Sequence, residues 1–72
     1  METMMASEVE KRGRDTRRIL RALAQAGLSD LEIAWRVKVS WRSIYRWRTG
    51  RAVPRREPYR RLAAFAARRE VA

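Results

Sequence analysis

Arg42 and Arg46 stand four residues apart in the run Trp41-Arg42-Ser43-Ile44-Tyr45-Arg46-Trp47-Arg48. A guanidinium is a planar fork that can bond bidentately to guanine O6 and N7. On a helical wheel the two arginines share one face, and Ile44 and Trp47 lie together on the opposite one. A helix that is apolar inside and cationic outside suits insertion into a DNA major groove. Arg42 and Arg46 are therefore the candidate base readers. The bland alternative for both is contact with phosphates, or simple solvation. Trp41 opens the run outside its apolar stripe. It can pack on a thymine methyl or a sugar, or against the end of the preceding helix. A second set offers contacts to the DNA backbone: Ser40, Ser43 and Tyr45. Ser40 also has the chemistry of an N-cap, and the Tyr45 ring can equally serve as exposed packing. Phosphate contacts of this kind set register and affinity rather than sequence preference.

The charge distribution points the same way. Lys and Arg number 18 against 8 Asp and Glu, a net charge of +10 with a pI near 11.7. From Ile33 to Arg56 there is no acidic residue, while Arg36, Lys38, Arg42, Arg46, Arg48, Arg51, Arg55 and Arg56 are all cationic. Arginine bias in a source proteome would account for part of the excess but not for the exclusion of acids from this stretch. A polyanion is the natural partner.

Four helical segments are predicted to position these residues. Asp15 or Thr16 is the expected N-cap of the first, which runs to about Ala26 with Ile19, Leu20, Leu23, Ala24 and Ala26 inward. Gly27 is its C′ signal, and Leu28 can fold back on the last turn. Ser29, followed three residues later by Glu32, is a capping-box start for the second, Asp30 to Val37. Its predicted stripe is Leu31, Ile33, Ala34 and Val37, and Trp35 lies on the flank. The third runs from Trp41 to Arg48 and ends at Thr49-Gly50. A loop with Pro54 and Pro58 leads to the last, with Leu62, Phe65 and Ala66 inward, Tyr59 near the edge, and Arg60, Arg61 and Arg68 outside. Residues 1–14 show no durable periodicity. They are expected to form a flexible N-terminal arm ahead of a domain over 15–70, with Gly13 halting any short turn.

This pattern resembles the helix-turn-helix of the Cro and lambda-repressor (XRE-type) regulators. The carrying residues are Ile33-Ala34, Val37, Val39-Ser40, Ile44 and Trp47, then Gly50 and Pro54. The resemblance covers roughly Ile19 to Ala66. It implies that Ala34 is small because the second helix of the motif crosses close there, and that Val37, Val39, Ile44 and Trp47 are buried. It also implies that outward residues at positions such as Arg42 and Arg46 read bases, while Thr49, Arg51, Arg55 and Arg56 clamp the backbone. One position departs: the family usually carries glycine where this chain has Lys38, because the turn needs positive φ.

The expected fold is all-α, a small four- to five-helix bundle with a central helix-turn-helix. The expected function is sequence-specific binding of double-stranded DNA by a small phage-type or bacterial transcriptional regulator, such as a repressor. A homodimer fits, since one helix reads only a few base pairs; Trp35, the end of the last helix and Val71 are candidate dimer contacts. The alternatives are a DNA-docking subunit of a DNA-processing enzyme, such as a transposase or terminase small subunit, or a basic adaptor for an acidic protein or RNA polymerase. The initial Met and the lack of a catalytic domain favour a stand-alone protein. With no His or Cys, the usual general bases and thiol nucleophiles are missing, and neither catalysis, a metal nor a cofactor is expected. No apolar run approaches a membrane span and no signal-peptide core is present, so no membrane association and a cytoplasmic location are expected.

Overall fold

The computed structural model describes the backbone of residues 2–71 and the side chains of residues 7–69. Val71, named above as a dimer contact, has its side chain outside the described residues. Four helices follow in order: α1 Glu2–Gln25, α2 Asp30–Val37, α3 Trp41–Arg48 and α4 Arg56–Val71. No strand occurs among the described residues. α1 packs on α3 and α4, and α2 packs on the same two helices, so α3 is held between α1 and α2. Among the described residues no helix is long and apolar enough to cross a membrane.

α1 departs most from expectation. It does not start at Asp15 or Thr16; the helix is continuous from Glu2 and takes in the segment expected as an arm. Its buried stripe is Gly13, Thr16, Leu20 and Leu23, spaced three, four and three residues apart. Gly13 stands inside the helix because an adjoining segment passes close by. A Cβ there would lie 3.2 Å from Val53 Cγ2, tighter than most real contacts. Arg12 Nη1 donates to the carbonyl of buried Pro54 at 3.2 Å, which fastens the same segment to α1. Thr16 is fully buried and donates its hydroxyl to Arg12 O at 2.7 Å. It is a core residue, not an N-cap. Ala24 and Ala26 are exposed rather than inward.

The end of α1 follows the sequence reading. Gly27 takes φ +96°, Gly27 N–H donates to Ala24 O at 3.0 Å, and Leu28 N–H donates to Leu23 O at 3.1 Å. These are the two bonds of a Schellman cap, with buried Leu28 and Leu23 as its apolar pair. Ser29 Oγ then accepts from Glu32 N–H at 3.1 Å and starts α2. Ile33, Ala34 and Val37 are buried, but Leu31 is 67% exposed and belongs to the surface.

α2 stops at Lys38, which adopts φ 63° and ψ 49°. The left-handed conformation lets the N–H groups of Lys38 and Val39 both donate to Ala34 O. Arg61, expected on the outside, instead reaches back from α4 and donates its Nε to Val37 O at 2.8 Å. A Cβ at this φ costs about 1–2 kcal/mol, part of which glycine would forfeit through its greater freedom when unfolded. Lys38→Gly is therefore expected to stabilise the protein by about 1 kcal/mol in urea unfolding. A clear loss of stability would mean that the lysine side chain contributes more than its backbone strain costs.

The core joins Leu20 and Leu23 of α1, Ile33, Ala34 and Val37 of α2, Ile44 and Trp47 of α3, and Leu62 of α4. Val39, Phe65 and Ala66 close its rim, half-buried. Tyr59 fastens α4 to α1 by donating its hydroxyl to Asp15 Oδ2 at 3.4 Å. Burial first, and then the charge of the Asp15 carboxylate, raise the phenol above its ordinary pKa of 10.0, so it stays a neutral donor.

Candidate nucleic-acid interface

Ser40 sets the first turn of α3. Its Oγ accepts from Ser43 N–H at 3.2 Å, the N-cap bond that the sequence implies. The Ser40 and Ser43 hydroxyls also lie 3.0 Å apart and share a hydrogen bond. One of the two hydroxyl protons is spent there, leaving one for an outside acceptor.

Burial of Ile44 and Trp47 fixes the rotation of α3 about its own axis. Trp41, Arg42, Tyr45 and Arg46 are consequently all exposed. Arg42 and Arg46 form one i, i+4 ladder, and Trp41 and Tyr45 form the ladder beside it. Neither Arg42 nor Arg46 makes a side-chain hydrogen bond or an ion pair among the described residues. Arg48 differs: it pairs with Asp30 and ties the end of α3 to the start of α2. Asp30 thus has a use beyond the α2 dipole. Of the three arginines in α3, one serves the fold and two stand free of protein partners among the described residues.

The residues after α3 divide in the same way. The Thr49 hydroxyl lies 3.0 Å from Tyr45 O and 3.3 Å from Arg46 O. Its proton is spent on the helix end, so in this conformation it has none for a phosphate. Gly50 takes φ +79°, and the N–H of Arg51 then donates to Arg46 O at 2.9 Å. Arg51 is thereby anchored at the end of α3 with its side chain in solvent. Arg55 is exposed and unpaired among the described residues. Arg56 opens α4, with Nη2 3.7 Å from Glu8 Oε2. Both groups are largely exposed, so the pair holds Arg56 only loosely. Sequence reasoning missed Glu8 because its segment lacked any periodic signal.

It also missed an apolar patch. Leu31, Trp35 (81% exposed) and Trp41 (54% exposed) share a shallow groove of about 620 Å³ with Val39. Trp41 therefore leans towards α2 while leaving half its ring to solvent. Leu31 and Trp35 are four apart on the outer side of α2. The wheel places Leu31 beside Ala34, which is why it reads as core.

Comparisons with protein-family models, with curated proteins and with solved structures gave no match.

Proposed function

We propose that this chain binds double-stranded DNA in a sequence-specific manner, with α2 and α3 as a helix-turn-helix and α3 in the major groove. Its role would be that of a small phage-type or bacterial transcriptional regulator, of the kind that the Cro and lambda-repressor resemblance implies. One observation carries the reading: Arg42 and Arg46 project from a helix locked by Ile44 and Trp47, and among the described residues no protein group pairs with either. Trp41 adds an apolar surface beside them. Arg51, Arg55 and the loosely held Arg56 supply phosphate contacts after the helix. Lys38 lends support too, since its positive φ is the conformation for which the family carries glycine. A two-fold dimer would set its α3 helices about 34–36 Å apart on successive major grooves.

The test is duplex binding across a salt series, together with selection from a random duplex pool. The logarithm of affinity should fall linearly with the logarithm of salt, by about 0.9 per phosphate neutralised, and the selection should return a short consensus. A salt-independent or undetectable interaction with duplex would sink the proposal and favour an adaptor for an acidic protein or RNA polymerase. The exposed Leu31, Trp35 and Trp41 patch favours a second reading, in which the chain is the DNA-docking subunit of a transposase- or terminase-like machine. Strong salt-dependent binding without any consensus would remove the sequence-specific part of the proposal and leave a basic surface that binds polyanions by charge alone.

A further inference from the structure

Away from α3, five cationic side chains converge where the end of α2 meets α4. Arg36 and Lys38 on one side, and Arg60, Arg61 and Arg68 on the other, line one cleft of about 460 Å³. No residue of α3 and no acidic residue lines it. Arg61, Phe65 and Arg68 follow at i, i+4 and i+7, so a single stripe of α4 forms one wall, with Phe65 half-buried.

Part of this charge has a local cause. The carbonyls at the end of α2 attract cations. Arg61 meets that demand through its bond to Val37 O, and its Nη1 lies 3.8 Å from Glu57 Oε1. The Ala34 carbonyl is taken by the Lys38 and Val39 N–H groups. Arg36, Lys38, Arg60 and Arg68 are left over, and none makes an ion pair among the described residues. Their mutual repulsion is relieved when a multivalent anion enters. The cleft falls within the roughly 300–1,000 Å³ of small-ligand sites, and four cations around it match several phosphates better than one carboxylate.

We propose that this cleft is a second phosphate-binding site, shaped for a run of linked phosphates and separate from the α3 face. Guanidinium forks suit phosphate oxygens, and Lys38 adds a point charge. The phosphates can come from DNA backbone passing beyond α3, or from a free ligand such as a nucleoside triphosphate, whose base would meet the Phe65 ring. The site does not depend on α3 reading bases.

The probe is inorganic tripolyphosphate, in thermal melts at an ionic strength held constant with sodium chloride. At about ten times its Kd the parent Tm should rise by about 5–10 °C. The double variant Arg36→Gln/Arg68→Gln should lose most of that rise, and Arg42→Ala/Arg46→Ala should keep it. All four side chains are exposed, so both variants should fold. No rise in the parent, or an equal rise in all three proteins, overturns the site. Titration of tripolyphosphate into the protein–duplex complex then assigns the source. Displacement of the duplex, with a shallower salt slope in Arg36→Gln/Arg68→Gln, supports the site as one for DNA phosphates. Binding without displacement supports it as one for a free ligand.

Discussion

Trp47→Ala is expected to lower the unfolding free energy by about 3–5 kcal/mol and to bring the melt down steeply. Trp47 is 6% exposed and, with Ile44, is the buried part of α3. α3 has only eight residues, too few to be helical without tertiary contacts. Its attachment to α1 and α2 therefore runs chiefly through these two side chains and the Arg48–Asp30 pair. Removing a buried indole costs about 3–5 kcal/mol, counting both the lost transfer energy and the cavity. A domain of this size has a total stability of about 4–11 kcal/mol at the usual 0.05–0.15 kcal/mol per residue. The substitution therefore removes between about a quarter and all of that. Trp35→Ala is the control: the same truncation at an 81% exposed position should shift stability by no more than about 0.5 kcal/mol. Far-UV circular dichroism melts of both variants provide the measurement. A cooperative melt of Trp47→Ala close to the parent's would show that α3 is anchored by something other than this side chain.

The contrast between these tryptophans also shows what periodicity can and cannot resolve. Trp47 is legible because it shares a wheel face with Ile44, and Trp35 because it falls off the Ile33–Ala34–Val37 stripe. The bounds of α2 and α3 are legible for a related reason: each starts at a serine cap, and each stops where the chain turns left-handed soon after, at Lys38 and Gly50. The first half of α1 was not legible. Its buried stripe continues upstream through Thr16 and Gly13, a hydroxyl that bonds its own helix and a residue without a side chain. Neither carries a hydrophobic signal, and glycine ordinarily argues against a helix interior. What fastens the helix at Arg12 and Gly13 is long-range, the close pass of Val53 and the Arg12–Pro54 bond, and local pattern cannot report it. Arg61 was missed in the same way, because its acceptor is a carbonyl of a different helix. For the candidate interface, exposure of Arg42 and Arg46 followed from the wheel. The pairing of Arg48 with Asp30 and the spent proton of Thr49 needed the three-dimensional arrangement.

That arrangement makes the separation of reading from clamping a sharp expectation. Ile44 and Trp47 hold the inner face of α3, so Arg42 can be presented only outward, with no protein partner among the described residues. Arg51 follows Gly50, off the helix. Its backbone is pinned by Arg46 O, and its side chain can reach a phosphate but hardly a base edge. Arg42→Ala should therefore cost about 1–3 kcal/mol on the preferred duplex and relax preference at one or two base positions. Arg51→Ala should weaken binding to all duplexes about equally and reduce the salt slope by about 1. Arg48→Ala serves as a third arm. It breaks the Asp30 pair, whose groups are partly exposed, so it should alter stability modestly and leave base preference unchanged. Each variant is titrated against the preferred duplex, its single-base variants and bulk DNA at several salt concentrations. If Arg42→Ala lowers affinity for every duplex by one common factor, α3 does not read sequence through that residue. A flat profile for Arg46→Ala as well would remove the basis for sequence-specific recognition and leave a basic surface that binds polyanions by charge alone.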